Sequence, residues 1–248
     1  MHVSNDQFAR KFAANSKIAV ENRRLFKHSA TTAISVVGSA GSGKTALIEA
    51  AAHRARHTSV GAIIGNLASS RDAERLQRLG IQAVPVITDN LTAEQVRDAL
   101  AEFDLNRCDI LFIESNGNAD SPVEYDFGQS ARVGVFSVAG GDDKAAEFPR
   151  LVADADLIVL TKSDLLPHVH FDLAAFHADV ATLNAAASMI TTAHSKHGFD
   201  EWIAWLSERW TSDPASDGQP KHLSACFVHP RMNAGSELPD IFSVEGER

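Results

Sequence analysis

The chain is poor in cysteine, in positive charge and in long apolar runs, and each shortage excludes a class of protein. Two cysteines among 248 residues are too few for a disulfide framework. Lys and Arg number 23 against 32 Asp and Glu, a formal charge of -9, which argues against an electrostatic grip on nucleic acid or anionic lipid. The first thirty residues lack a signal-peptide pattern, and no run approaches the roughly 18 apolar residues that span a bilayer. We therefore expect a cytoplasmic protein with no nucleic-acid partner and no membrane.

Short apolar runs alternate with helical patterns along most of the chain, and 44% of the residues are hydrophobic. The β-rich runs show little of the polar alternation of a half-exposed strand, and helical segments separate them. This pattern is typical of a parallel sheet that helices cover on both faces. The sequence therefore predicts an α/β fold with a mostly parallel sheet.

The two ends of the chain differ from this pattern. Residues 5–27 place apolar side chains at helical spacing, which predicts an amphipathic N-terminal helix with at most one break. The apolar residues of this helix are Phe8, Phe12, Ile18, Ala19 and Leu25. From Thr211 onward Ser, Asp, Pro and Gly dominate, which is typical of irregular structure. We expect a helical extension over 1–30, the α/β domain over 31–210 and a largely irregular tail over 211–248.

A glycine-rich loop follows the first predicted strand. Residues 38–45, GSAGSGKT, fit the pattern G-x-x-x-x-G-K-S/T between a strand and a helix, the context that makes this motif specific for a P-loop NTPase. Successive backbone N–H groups and the helix N-terminus attract phosphate oxygens. Lys44 is expected to bridge the β- and γ-phosphates, and the Thr45 hydroxyl to bind Mg²⁺. The expected phosphate-binding residues are Gly38, Ser39, Ala40, Gly41, Ser42, Gly43, Lys44, Thr45 and Ala46.

A second motif, TKSD at residues 161–164, follows a later buried strand and fits the N/T-K-x-D element of GTP-binding proteins. The Asp164 carboxylate can accept hydrogen bonds from guanine N1–H and from the 2-amino group. Adenine has neither donor there, so binding it would leave a desolvated carboxylate unpaired at a cost of about 1–3 kcal/mol. The Lys162 stem can lie along the base. Together with Thr161, these residues predict GTP and GDP as the bound nucleotides.

Taken together, the motifs resemble those of the HypB family, GTPases that assist nickel insertion into hydrogenase, and of the related urease accessory GTPase UreG. The resemblance covers about residues 5–210, and the matching segments occur in the family's order and spacing. These segments are ANSKIAVENRRLF, GSAGSGKTALIE, SRDAERLQRLG, CDILFIESNGN, YDFG, DADLIVLTKSDLLP and FDEWIAWL.

The resemblance implies roles for further residues and partners. Glu114 and Gly117 match the family's E-x-x-G, in which the glutamate reaches the Mg²⁺ shell and the glycine N–H senses the γ-phosphate. Thr192 and Ala193 match the S-A element that touches the guanine carbonyl. In the family GTP closes two subunits face to face, so a GTP-dependent homodimer is implied. A client metalloenzyme or its other accessory proteins are the implied partners.

One departure from the family lies at the end of the second strand, where the family has G-D-I and this chain has Gly65, Asn66 and Leu67. Asn66 keeps a carbonyl acceptor but lacks the negative charge that holds a divalent cation and orients water. Asp72, at the start of the next predicted helix, is an acidic alternative. The sequence predicts slow hydrolysis and a faster rate for Asn66→Asp. The expected catalytic residues are Lys44, Asn66, Asp72, Glu114 and Gly117.

The other departures concern the family's interface metal site. The resemblance implies a Cys-His pair after the third strand, where this chain reads TDNLT at 88–92, and a cysteine where it has Ser121. Nickel and zinc at such sites need thiolate or imidazole donors. We therefore expect no transition metal at the family site.

Histidines elsewhere offer alternative ligands. His53 and His57 lie four residues apart on a predicted helix, and the tail carries His222, Cys226 and His229. An exposed helical pair is typical of solvated residues. The tail cluster has mixed soft donors but needs one more ligand, and the tail could instead pack across the sheet or the nucleotide face. Both interpretations of the tail stay open.

Three functions are compatible with these motifs. The first is a GTPase whose cycle drives metalloenzyme maturation by shifting a dimer between open and closed states. The second is a guanine-nucleotide sensor of low activity that acts as a conformational chaperone for a partner, which Asn66 supports. The third is a small-molecule kinase, which TKSD and E-x-x-G disfavour. The motifs favour the first.

Overall fold

A seven-stranded parallel sheet forms the centre of the protein. The computed structural model describes residues 5–54, 58–66, 70–116, 126–192 and 198–212. The strands are β1 (Thr32–Gly38), β2 (Val60–Asn66), β3 (Gln82–Ile87), β4 (Ile110–Asn116), β5 (Ala131–Ser137), β6 (Leu157–Thr161) and β7 (Ser188–Thr191). Their order is β3-β2-β4-β1-β5-β6-β7, and every described pairing is parallel. The predicted sheet is confirmed.

Helices cover both faces of the sheet. They are α1 (Asn5–His28), α2 (Lys44–Arg54), α3 (Arg71–Arg78), α4 (Ala93–Leu100), α5 (Lys144–Glu147), α6 (Pro149–Ala153), α7 (Leu173–Leu183) and α8 (Phe199–Ser212). One apolar core lies between the sheet and α2, α3 and α8. Two others lie on the opposite face, one with α1 and α4 and one with α5, α6 and α7. Helices on both faces agree with the prediction.

The alternating direction of side chains along the central strands explains why the cores lie on two faces of the sheet. In β1, Ile34 and Val36 belong to the core with α2, whereas Ala33 and Val37 belong to the cores of the other face, because successive strand side chains point to opposite faces. All residues of β1 are buried, which accounts for an apolar run without polar alternation. The carboxyl ends of the parallel strands meet at one edge of the sheet, where the loops with the predicted motifs begin.

Local interactions fix the positions of two helices. At the start of α4 the Gln95 N–H donates to the Thr92 hydroxyl over 3.3 Å, and the Thr92 N–H donates to Gln95 Oε1 over 3.0 Å, a capping box. α8 buries Trp202, with Trp205 and Leu206 beside it. The Trp202 indole N–H donates to the Leu47 carbonyl over 3.0 Å, so α8 is held against α2.

The N-terminal helix is continuous, but it buries only part of the side that the sequence predicts, with Ala19 inside. Over residues 12–28 its buried side chains are Asn15, Ala19, Asn22 and Phe26. Phe12 and Leu25, which were expected to pack, are 48% and 43% exposed, so that part of the prediction was wrong. Two asparagines can face the interior because their amides have backbone partners there: Asn22 donates to the carbonyls of Ala93 and Phe127 over 2.9 and 3.1 Å.

The described part of the chain ends close to the predicted domain end. α8 stops at Ser212, and the expected tail from 213 onward lies outside the described residues. The division into extension, domain and tail stays a prediction. Among the helices that the structure describes, none is long and apolar enough to cross a bilayer.

Candidate functional site

The glycine-rich loop connects the buried end of β1 to the start of α2. Gly41 and Gly43 have φ angles of +73° and +98°, which residues with a side chain rarely adopt, so the loop turns tightly before α2. The Lys44 side chain is buried, and its ammonium donates to the carbonyls of Gly38 and Ser39 over 2.9 and 3.1 Å. The loop therefore curls around its own lysine.

Glu114 lies beside this loop near the end of β4. Residue 114 is opposite Val36 in the pairing of β4 with β1, which brings it next to the start of α2. The Glu114 carboxylate accepts a hydrogen bond from the Thr45 hydroxyl, with distances of 3.0 and 3.2 Å to its two oxygens. Its Oε1 is 4.0 Å from Lys44 Nζ. The structure thus brings these three predicted residues together, and the hydroxyl and carboxylate are oxygen donors suited to Mg²⁺.

Burial controls the charge of Glu114 and Lys44. It raises the pKa of Glu114 to about 7, against the opposing effects of the Lys44 ammonium and the Thr45 hydroxyl. Burial likewise lowers the pKa of Lys44, against the attraction of the Glu114 and Asp72 carboxylates. Both shifts have the sign expected for charges removed from water. Near neutral pH the glutamate is therefore balanced between its two charge states.

Asn66 and Asp72 lie next to each other at the edge of this centre. Asn66 ends β2 and Asp72 is in the first turn of α3. The Asn66 Nδ2 donates to Asp72 Oδ2 over 3.3 Å. The Asp72 carboxylate acts electrostatically on both Lys44 and Glu114. Both predicted residues are therefore close to the glycine-rich loop.

An ion pair that the sequence analysis missed joins α3 to α2. Arg75 Nε and Nη2 lie 2.5 and 2.6 Å from the two carboxylate oxygens of Glu49. Arg75 is one turn beyond Asp72, and Glu49 is one turn beyond Thr45. The pairing had no sequence signal, because the partners are 26 residues apart on different helices.

The TKSD loop begins where β6 ends and is bonded to the glycine-rich loop. The Thr161 hydroxyl donates to the Ser42 carbonyl over 2.5 Å. The Lys162 ammonium donates to the Gly41 carbonyl over 2.7 Å. Lys162 has a left-handed backbone with φ of 59°, which is strained for a residue with a side chain and often marks a functional site. The two motifs therefore form one connected unit.

The end of β7 lies against this unit. The Ser163 N–H donates to the Thr192 carbonyl over 3.0 Å, and the Thr192 N–H donates to the Leu160 carbonyl over 2.8 Å. Asp164 is exposed in the 3-10 helix over 163–168. Two further predicted contacts, Gly117 and Ala193, lie outside the described residues.

A cleft of about 230 Å³ opens between the two loops. Residues 39–42 form one wall, and Lys162 lies on another. The other lining residues are Val135, Phe136, Ser137, Ala139, Gly140 and Lys144. The sequence analysis did not include this third wall. The sequence signal for this wall was the pair Gly140 and Gly141, which follows a buried strand. This signal is weak, because the sequence does not show that β5 lies beside β1.

The metal-site predictions concern several parts of the chain. In the regions that the structure describes, no group of three or more His, Cys, Asp or Glu side chains could hold a metal ion. Residues 88–92 are described and contain neither Cys nor His. Ser121, His57 and the tail cluster of His222, Cys226 and His229 lie outside the described residues, so the predictions for them stay predictions.

Residues 32–191 match the family described as CobW/HypB/UreG, nucleotide-binding domain. The chain belongs to this family. It is 35% identical over 200 residues to the hydrogenase maturation factor HypB of Azotobacter vinelandii, a match that covers 79% of this chain and 66% of that protein. The chain therefore spans slightly less than two thirds of the length of that relative. The predicted resemblance to HypB is confirmed.

Two solved structures of HypB proteins share the fold. The hydrogenase maturation factor HypB of Archaeoglobus fulgidus has a TM-score of 0.74 and 36% sequence identity, and the match covers 80% of this chain and 99% of that one. HypB of Helicobacter pylori, solved in complex with nickel, has a TM-score of 0.75 and 25% identity, with coverages of 80% and 95%. The predicted P-loop fold is therefore confirmed.

Proposed function

We propose that the chain is a GTP-hydrolysing accessory protein that assists the maturation of a metalloenzyme by metal or cofactor insertion. The observation that carries this proposal is the bonding between the two loops, through Thr161 and Lys162. Connected loops can hold the phosphates and the base of one nucleotide in a fixed relation, which reduces the ordering needed on binding. The relatives named hydrogenase maturation factors support the accessory role. A cytoplasmic location is part of the proposal.

The proposed nucleotide contacts follow the chain from the glycine-rich loop to β7. Backbone N–H groups of residues 38–46 bind the phosphates, and Lys44 exchanges its loop carbonyls for phosphate oxygens. Asp164 recognises guanine, and Lys162 lies along the base. Thr192 and Ala193 are proposed to touch the guanine carbonyl, and Gly117 to sense the γ-phosphate.

Mg²⁺ is the proposed cofactor. The Thr45 hydroxyl and the Glu114 carboxylate lie within hydrogen-bond distance, and Mg²⁺ prefers such oxygen ligands. When bound with the nucleotide, Mg²⁺ neutralises the charge that develops on the phosphates during hydrolysis. Asp72, with the Asn66 amide bonded to it, is proposed to orient the attacking water.

A nickel or zinc site of the family type is not part of the proposal. HypB of Helicobacter pylori was solved with nickel, but at 88–92 this chain offers hydroxyl, carboxylate and amide groups instead of thiolate and imidazole, which hold these metals less tightly. The chain is proposed to control the conformation of a partner or to help load a metal or cofactor that the partner holds. Metal analysis of the purified protein with GTP or GDP bound checks this point, and stoichiometric nickel or zinc would contradict it.

The proposed partners are a client metalloenzyme or its accessory proteins and a second copy of the chain. GTP is proposed to close the dimer, and analytical ultracentrifugation with a non-hydrolysable GTP analogue measures this. A second candidate function is a slow nucleotide sensor, because the Asn66 side chain brings no charge to the site. Multiple-turnover phosphate release with and without the client separates the two: a GTPase turns over, and a sensor remains near single turnover.

The experiment that tests the proposed function is the substitution Asp164→Ala. Losing the carboxylate removes two hydrogen bonds to guanine, so we expect GDP affinity to fall about tenfold to a hundredfold, with ADP affinity little changed. Calorimetric titration of the wild type and the variant with both nucleotides measures the preference. Asp98→Ala removes an equal charge from the exposed surface of α4 and serves as the control. A wild type without guanine preference, or a variant that keeps it, contradicts the proposal.

A further inference from the structure

The side chain of Asn66 faces the same side of the sheet as Glu114. β2 and β4 are neighbours, and Ile64 is opposite Glu114 in their pairing. Because side chains alternate along a strand, Asn66 points to the face that carries Ile64 and α3. There its amide donates to Asp72 Oδ2 over 3.3 Å. The amide therefore acts as a hydrogen-bond donor, a role that an aspartate at this position could not fill.

α3 is itself fixed close to the glycine-rich loop. Its inner side chains, Ala73 and Leu76, are fully buried in the core shared with α2. On its outer side the two-point ion pair of Arg75 with Glu49 connects α3 to α2. The backbone at Asp72 is thus held by packing and by an ion pair. The Asn66 amide fixes the side chain of Asp72.

We propose that Asn66 is a positioning residue, which holds the Asp72 carboxylate beside the Lys44–Glu114 centre before a cation or nucleotide binds. This inference rests on the proposed function, in which Asp72 takes part in hydrolysis. An aspartate at position 66 would put two carboxylates at hydrogen-bond distance, an arrangement that needs a shared proton or a cation between them. In this chain the neutral Asn66 amide donates to the Asp72 carboxylate instead. The position of Asp72 therefore does not depend on Mg²⁺.

The first test measures stability without nucleotide and does not depend on any activity. In EDTA we expect Asn66→Asp to lower the Tm by about 2–4 °C, the shift that corresponds to roughly 1 kcal/mol in a protein of this size. The double variant N66D/D72N exchanges donor and acceptor and should regain most of this loss. Millimolar Mg²⁺ should stabilise the N66D variant by more than it stabilises the wild type. A single variant as stable as the wild type, or a double variant no better than the single, overturns the proposal.

The second test measures single-turnover phosphate release from GTP at saturating Mg²⁺. We expect Asn66→Ala and Asp72→Ala each to slow release about tenfold, and the double variant to be no slower than Asp72→Ala, because coupled residues are not additive. GDP affinity should stay within about twofold, since positioning of Asp72 does not create the nucleotide contacts. Additive losses overturn the proposal. So does an Asn66→Asp rate above that of the wild type, which is the result expected from the sequence if the missing charge alone sets the rate.

Gln82→Ala is the matched control for both tests. Gln82 begins β3, and its amide donates to the Glu102 carbonyl over 2.7 Å. The variant therefore also loses one amide hydrogen bond at a strand end, but at the amino end of the strands, away from the site. Its rate and its response to Mg²⁺ should match the wild type. A wild type that releases no phosphate contradicts the proposed function, whereas the stability test still decides whether Asn66 positions Asp72.

Discussion

At the scale of single residues, the site is governed by charges that the fold has removed from water. Glu114 is attracted by Lys44 and bonded by Thr45, yet burial outweighs both and raises its pKa to about 7. Positive charge that enters the site shifts such a residue further towards its charged form. Burial therefore makes the charged form of Glu114 costly, and a bound cation would offset this cost.

The raised pKa of Glu114 predicts how stability depends on pH without nucleotide or Mg²⁺. Between the ordinary value of 4.5 and about 7, the folded protein binds more protons than the unfolded chain, so the free energy of unfolding falls as pH rises. Glu114→Gln has no such proton, and we expect its stability to vary less over this range and to exceed that of the wild type above about pH 8. Denaturant unfolding at several pH values in EDTA measures this.

The control for the pH experiment is Glu102→Gln, at an exposed glutamate far from the site. It should reproduce the pH dependence of the wild type. Equal pH profiles for Glu114→Gln and the wild type would show that Glu114 keeps an ordinary pKa.

At the scale of elements, α1 is attached to the segment that leads into β5. Asn15 donates to the Asp126 carbonyl over 2.9 Å, and Asn22 donates to the Phe127 carbonyl over 3.1 Å. Arg23 adds an ion pair with Asp126 at 2.9 Å. Contacts with α1 therefore hold Asp126 and Phe127 in place. Both residues belong to the segment that connects the E-x-x-G motif to β5.

Gly128 makes this attachment possible, and we predict that Gly128→Ala disrupts it. Its φ is +91°, and a Cβ there would lie 2.5 Å from the Ala19 carbonyl oxygen and 2.7 Å from the Arg23 nitrogen. Both atoms belong to the α1 backbone and cannot rotate away. We expect the free energy of unfolding to fall by more than about 2 kcal/mol, because a left-handed alanine costs about 1–2 kcal/mol before any clash is counted.

The matched variant is Gly41→Ala, where φ is +73° but no atom lies within 4 Å of the added Cβ. It should show only the conformational cost of about 1–2 kcal/mol. Denaturant unfolding of the two variants separates the clash from the backbone term. Equal losses would mean that α1 yields to the added methyl group.

At the scale of the whole molecule, the order of the strands assembles the site. β1, β4 and β2 are neighbours, which brings the glycine-rich loop, Glu114 and Asn66 to one edge. β5 separates β1 from β6, so the TKSD loop, which follows β6, lies one strand away from the glycine-rich loop. Its Thr161 and Lys162 side chains cross this distance and bond to the glycine-rich loop. The described site residues are therefore brought together by the sheet and by the helices that cover it.

This arrangement predicts that a chain ending at Ser212 keeps the site. All described site residues lie between 38 and 192, and α8 closes the core with Trp202, Trp205 and Leu206. We expect a chain of residues 1–212 to bind GDP within about twofold of the full chain and to keep its Tm. A chain of residues 1–197 lacks α8 and should not fold. Lost GDP binding in the first chain would place part of the site in the tail.

The sequence by itself determined the features that depend on neighbouring residues. The glycine spacing of the loop, the capping box of Thr92 and Gln95, the apolar runs of the strands and the TKSD motif all express conformations set within a few residues. They were sufficient for the fold and the family, and they define the candidate site residues as a prediction.

Only the tertiary structure decided which groups meet across long separations. It turned Asn15 and Asn22 of α1 inward instead of Phe12 and Leu25, bonded Thr161 to Ser42 across 119 residues, and placed the Asn66 amide on Asp72. Burial and hydrogen bonding depend on which elements are neighbours in space, and local periodicity carries no information on that. The same reason explains why the charge state of Glu114 could be known only once its surroundings had excluded water.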